Sequence, residues 1–226
     1  MTNLQLMSCP GRGWDIQLSN NNMVATWYTH LEDGTPIWYQ AVAPLAQQWH
    51  APLQKFQWVG SGILPLSEEV GNVDINFTSH IQAQLNWQVN NNSGIENIEP
   101  LIFSNRPADI KLSGLWHDPN DNGWGISIDS QGNRRVVVAF FYDQQNQPRW
   151  SISQSSNDLI SEQQSTSVSG ACPWCVYFAP VSTINGTLSL RLNSLSQLNI
   201  DINQNNADTN ETQWLRVESP LIKLTD

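Results

Sequence analysis

The sequence predicts an all-β protein of two homologous antiparallel units, each with about seven to eight strands and each closed as a barrel or packed as a sandwich. Three observations predict it. Apolar and polar residues alternate with period two in several segments, no stretch sustains a helical period, and the first half of the chain reappears in the second.

The repeat sets the organisation. Gly11-Arg12-Gly13-Trp14-Asp15-Ile16 matches Gly123-Trp124-Gly125-Ile126-Ser127-Ile128 at an offset of 112, and the same offset carries Val24 onto Val136, Pro36 onto Pro148 and Trp38 onto Trp150. Seven of the 28 positions from Gly11 to Trp38 are identical without a gap. Further along, Gly71 meets Gly186 and Ile75 meets Leu190 at an offset of 115. The predicted units are therefore residues 1–108 and 109–226.

Within each unit the strands follow from alternation. Ile81 to Val89 alternates for nine residues; Trp14, Ile16 and Leu18, then Leu188, Leu190 and Leu192, then Leu198, Ile200 and Ile202 do the same. This places one face of each strand in a core. Glu32-Asp33-Gly34-Thr35 and Gln144-Gln145-Asn146-Gln147 carry turn chemistry. The first unit reads as strands near 11–18, 23–31, 36–44, 55–62, 71–78, 81–89 and 98–104. A meander of so many short strands must hide its edges by closing.

Composition narrows the partners. Ten Lys and Arg against 20 Asp and Glu give a formal net charge of -10, which disfavours nucleic acid and anionic membrane surfaces. No apolar run approaches the roughly 20 residues of a spanning helix. Eleven Trp are an unusual load, and polarity comes from Asn, Gln, Ser and Thr more than from charge. The start of the chain lacks a basic segment and apolar stretch of signal-peptide type, so none is expected in it.

Ser113-Gly114-Leu115-Trp116-His117-Asp118-Pro119, then Gly123-Trp124-Gly125, a strand ending Phe140-Phe141-Tyr142-Asp143, and Pro148-Arg149-Trp150 together resemble a Trp-rich tandem repeat of secreted or surface bacterial proteins. The resemblance covers most of the second unit and about half of the first, and it implies a secreted or cell-surface setting without a settled function. Gly114-Leu115-Trp116 is also weakly similar to the start of avidin-like barrels; no avidin-type ligand set accompanies it.

The candidate sites are few. Trp116, Trp124, Trp174 and Arg12 break the alternation or sit near turns, so they are candidate exposed platforms, with Tyr28 and Tyr142 as further candidate ligand contacts. Exposed Trp faces stack on sugar rings and their N–H edges donate hydrogen bonds. Trp38 and Trp150 are expected on the inner face, which puts Ser151 and Ser153 outside. Asp118, Asn120 and Asn122 followed by Asp129 have the spacing of a Ca²⁺ loop, although the flanks read as strand and an Asx turn explains the same residues. Cys172 and Cys175 in Cys-Pro-Trp-Cys are expected to form a local disulfide or remain two structural thiols. The leading functional expectation is a non-catalytic binding module for a polysaccharide, surface glycan or other neutral ligand, with no required cofactor. A structural or adhesive domain that self-associates, and an enzyme such as a cyclase or hydrolase working inside a barrel, are the alternatives.

Overall fold

The computed structural model describes residues 4–9, 11–79, 82–155, 162–206, 209 and 211–224, with side chains from residue 11 onward. Sixteen strands run through the described residues, with no helix among them. The first eight are β1 (Leu4–Cys9), β2 (Arg12–Ser19), β3 (Asn22–His30), β4 (Pro36–Pro44), β5 (Gln48–Gln57), β6 (Leu66–Phe77), β7 (Ala83–Val89) and β8 (Asn92–Pro100). They form one closed barrel in chain order, with β1 pairing back to β8. The second eight are β9 (Gly114–His117), β10 (Gly125–Gln131), β11 (Arg134–Tyr142), β12 (Pro148–Ser155), β13 (Gln163–Ser169), β14 (Val181–Ser194), β15 (Gln197–Asn205) and β16 (Thr212–Lys223). These close in the same order, with β16 against β9. Among the described residues both sheets close on themselves, which removes free edge strands.

The repeat is realised at the level of register. Trp27 faces Tyr39 as Ala139 faces Ser151, Ala41 faces Leu53 as Ser153 faces Ser165, and Gly71 faces Val89 as Gly186 faces Gln204. The loops agree as well. Leu31 N–H donates to Thr35 O and Gly34 N–H to Leu31 O; Asp143 N–H donates to Gln147 O and Asn146 N–H to Asp143 O. Gly34 and Asn146, at φ 84° and 62°, take the left-handed position of that turn. Asn20 and Asn21, both left-handed, make the tight β2–β3 hairpin.

Strand boundaries shift from the sequence expectation at two places. The segment expected at 55–62 is strand only to Gln57, because β5 begins at Gln48, and β8 runs from Asn92 to Pro100 rather than 98–104. Ile81, in the expected strand 81–89, lies outside the described residues. The compact units also cut the chain differently from its repeats. Unit 1 comprises Met1–Phe56, Leu66–Leu101 and Ser169–Val181; unit 2 comprises Gln57–Pro65, Ile102–Val168 and Ser182–Asp226. Each unit is thus one barrel plus the fifth-to-sixth-strand connection of the other repeat.

The core of unit 1 lies inside its barrel: Trp14, Ile16, Met23, Ala25, Trp27, Tyr39, Leu53, Leu85 and Trp87 are among its buried side chains. Trp14 and Trp27 stack at 4.7 Å with ring planes 10° apart, and Trp87 leans on Trp27 at 5.2 Å. The outward sides of β3 and β11 are buried too, which explains why Val136 to Tyr142 reads as one unbroken apolar run.

Gly71 and Gly186 recur because the facing strand approaches them closely. A Cβ on Gly71 would lie 1.9 Å from the carbonyl oxygen of Gln88, and one on Gly186 2.1 Å from that of Asn203. Both obstacles are backbone, so neither can swing aside. Gly71→Ala and Gly186→Ala are each expected to destabilise their barrel by roughly 3 kcal/mol, read as a shift of the urea midpoint; an unchanged midpoint would show that the strands can move apart.

Candidate functional site

The two barrels share a backbone plan and differ in what fills them. Inward positions of β3, β4, β5 and β7 in unit 1 carry Met23, Tyr39, Ala41, Ala51, Leu53 and Val89. Their counterparts in unit 2 are Arg135, Ser151, Ser153, Gln163, Ser165 and Gln204. All six are buried, with exposures of 3, 1, 2, 8, 0 and 0%. Trp14, Trp27 and Trp87 likewise give way to Ile126, Ala139 and Ile202. At these positions an apolar, aromatic interior is replaced by hydroxyls, amides and one guanidinium.

That layer is internally linked. Gln204 Nε2 donates to Ser165 Oγ at 2.7 Å, and Ser165 Oγ donates to Ser151 Oγ at 2.9 Å. Hydrogen-bonding capacity remains over. Ser153 Oγ, Gln163 Oε1 and Gln204 Oε1 are buried with no partner among the described residues, and so is Nε1 of Trp214, which pairs in register with Gln204. A buried polar atom without a partner costs on the order of 1–3 kcal/mol, so such atoms call for water or a ligand. Unit 1 also buries unpartnered indole N–H groups, on Trp14, Trp27 and Trp87. Those belong to rings whose own bulk fills the barrel, whereas the unit 2 groups stand where unit 1 has the apolar Ala41, Ala51 and Val89.

In unit 2 aromatic rings gather around a part-buried ion pair. Arg216 donates from Nε and Nη2 to Asp121 Oδ2 at 3.0 and 2.8 Å, and its guanidinium lies 3.8 Å from the Trp214 ring centroid, with Trp124 and Trp58 at 5.4 and 5.7 Å. Trp58 meets Trp214 edge-on and tilts against Tyr142. Asp121 also accepts from Trp124 Nε1 and from Gly62 N–H. Burial pushes the Asp121 carboxyl up, but hydrogen bonds from the Ser61 side chain and Gly62 N–H, together with Arg216, outweigh it and hold it below its ordinary value. In unit 1 the matching connection brings in Trp174, which packs on Trp87 at 6.0 Å and donates from Nε1 to Glu32 at 3.0 Å.

The structure corrects several expectations about exposure. Trp116 and Trp124 are 0 and 1% exposed and Tyr28 and Tyr142 are 4 and 0%, so none is an open platform. Trp116 donates to Leu112 O, and Tyr142 to Gly123 O. Burial raises the Tyr142 phenol, and burial together with Asp15 raises that of Tyr28. Arg12 is mostly buried and ion-paired with Glu96 at 3.3 Å. Trp174 is half-buried. Cys172 and Cys175 form a disulfide.

The Ca²⁺ spacing is a turn here. Asp118 Oδ1 accepts from Asn120 N–H at 2.8 Å, as an Asx turn does, and Asn122 lies in the same β9–β10 connection. Asp129 stands in the middle of β10, accepts from Ser113 and Gln131, and has its carboxyl raised by burial. It does not fold back on the loop. Among the described residues no three His, Cys, Asp or Glu side chains gather as a metal site.

Trp38 and Trp150 are buried, but on the faces opposite Tyr39 and Ser151. Trp38 stacks on Phe56 at 5.3 Å instead of joining the interior. The expected parity of β4 and β12 is thus reversed, and with it Ser151 and Ser153 turn inward. The signal was available in Ser151, Ser153 and Ser165, small polar residues standing where the first repeat has Tyr39, Ala41 and Leu53. No protein-family model, curated protein or solved structure matches the chain.

Asp121→Asn leaves Arg216 without its counter-charge in a largely buried setting. The expected loss is about 2 kcal/mol at pH 7. Because the folded carboxyl is depressed, its contribution is present above the ordinary carboxylate range near 4 and vanishes as pH falls through the folded value. Urea unfolding should show the gap between variant and wild type narrowing below about pH 4; a gap independent of pH would mean that the ion pair contributes nothing.

Proposed function

We propose that the chain is a non-catalytic binding module for a small neutral ligand bearing hydroxyl groups, of the carbohydrate or polyol class, held inside the barrel of unit 2. The observation that supports it is the buried polar layer of Ser151, Ser153, Gln163, Ser165 and Gln204, with atoms left unpartnered at positions that are apolar in unit 1.

The chemistry is that of neutral recognition. Serine hydroxyls donate and accept, the amide oxygens of Gln163 and Gln204 accept, and the Trp214 N–H donates. A ligand hydroxyl can do either and carries no charge whose desolvation must be offset. Arg135, buried on the same inward face, disfavours a cation there. An eight-stranded barrel has room for side chains or for one small ligand. The Cys172–Cys175 disulfide fits a secreted or cell-surface location, where thiols oxidise.

The test is an exchange of contents between barrels. Ser165→Leu with Gln204→Val gives unit 2 the residues of unit 1. The wild type is expected to bind members of a panel of monosaccharides, disaccharides and polyols saturably by ligand-observed NMR. The double variant is expected to lose that binding while melting within about 3 °C of the wild type, since removing the unpartnered Gln204 Oε1 is offset by the lost partner of Ser151 Oγ. Binding that survives in the double variant places the ligand elsewhere. A wild type that binds nothing, with a variant that melts lower, makes the polar layer structural.

A further inference from the structure

Arg216 stands where unit 1 has a glycine. It pairs in register with Ile202, the counterpart of Trp87, and the partner of Trp87 is Gly94, pressed against the indole ring. Unit 1 thus closes at this point without a cation. In unit 2 the guanidinium is met on several sides by groups that suit one. The Trp214 ring lies 3.8 Å from it, those of Trp124 and Trp58 lie at 5.4 and 5.7 Å, and Asp121 Oδ2 accepts from both Nε and Nη2. Aromatic faces attract a cation through the ring quadrupole, more strongly as water is removed. Three indoles and one carboxylate make a cation-binding cage whose occupant is a side chain of the same chain.

That occupant can be exchanged. The Arg216 side chain is 21% exposed, so it reaches solvent at the rim of the cage. Beside it the β15–β16 ladder is irregular: the register shifts between Ile200 and Ile202, and Glu218 has a φ of 50°. One wall of the cage comes from the 57–65 connection. Trp58 is half-buried there, and hydrogen bonds such as Trp58 N–H to Asn146 O and Gly62 N–H to Asp121 Oδ1 tie the connection down. Its counterpart in unit 1, which brings in Trp174, is clamped by the Cys172–Cys175 disulfide, whereas 57–65 contains no Cys.

From the cage of Trp58, Trp124, Trp214 and Asp121 around the chain's own guanidinium, we propose that this cage is a binding site for a small guanidino compound, which takes the place of Arg216 as that side chain turns out to solvent. Arg216 shows the chemistry that fits. A guanidino ligand repeats both its stacking on Trp214 and its paired donation to Asp121. A primary ammonium is a more strongly hydrated point charge and stacks less well. A quaternary ammonium has no N–H to offer the carboxylate. The net charge of -10 draws cations toward the protein. While Arg216 fills the cage, the apparent affinity is scaled down by the fraction of molecules in which the cage is open. The proposal is independent of the neutral-ligand reading for the polar layer of unit 2.

The experiment is titration of the full chain with methylguanidinium, followed by tryptophan emission and by ligand-observed NMR, with ethylammonium and tetramethylammonium as comparison cations. The wild type is expected to bind methylguanidinium saturably and more tightly than either of the others. Arg216→Ala is expected to bind it about tenfold more tightly, because the cage has lost its own occupant. Methylguanidinium is also expected to restore part of the melting temperature that this substitution lowers. Trp58→Ala is expected to weaken binding roughly fivefold by removing one wall of the cage, with the circular dichroism of the fold retained. No saturable binding by the wild type, no gain in Arg216→Ala, equal affinity in Trp58→Ala, or no preference for methylguanidinium over tetramethylammonium each overturns the proposal and leaves Arg216 a structural side chain. If Arg216→Ala does not fold, the Trp58→Ala titration and the order of the three cations decide.

Discussion

Closure of eight short antiparallel strands into a barrel is the constraint on which everything else here depends. A closed sheet has an inside wide enough only for side chains, and the pleat assigns alternate residues of every strand to it. Once the ring is closed, a strand cannot slip by one residue without exchanging its whole buried set for its outward set. The paired registers of β3 with β4 and β11 with β12 therefore decide which side chains meet inside. They also decide where backbone must approach backbone, as at Gly71 and Gly186.

On that shared frame the two repeats have kept the parts that build the ring and changed the parts that fill it. The equivalent turns close with the same hydrogen bonds, and the same glycines allow close strand contact. Inside, Trp14, Trp27, Tyr39 and Trp87 make unit 1 a solid aromatic core, while Ile126, Ala139, Ser151 and Ile202 stand in their places in unit 2. In unit 2 Trp58, Trp124 and Trp214 flank Arg216, and Tyr142 packs on Trp58 and Trp214. Two copies of one architecture thus differ in their interiors, one apolar and aromatic, the other holding a partly bonded polar layer.

The connections between fifth and sixth strands follow a related logic. Each delivers one Trp into an aromatic cluster and leaves an uncharged, apolar segment outside. In unit 1 the indole N–H finds Glu32. In unit 2 Trp58 finds rings and the guanidinium of Arg216, whose charge is compensated by Asp121.

The sequence alone determined the all-β class, the two units, the near-correct strand count and the turn chemistry at Gly34 and Asn146. These rest on local rules, alternation and left-handed turn positions, which a short window of residues contains. It also singled out Cys172 and Cys175 through their spacing. It did not determine strand parity where both faces are buried. In β4 apolar residues occupy both sides, so Ile37-Trp38-Tyr39 offers no local sign of which side faces in; in β12 the alternation of Trp150 and Ile152 with Ser151 and Ser153 points the apolar side inward, the wrong way. That choice depends on cross-strand pairing, in which Trp27 faces Tyr39 and Ala139 faces Ser151. Only the tertiary structure turned Ser151, Ser153 and Ser165 into one buried layer and brought Gln204 to it, because contact between residues 39 positions apart is a property of the closed ring and not of any segment of chain.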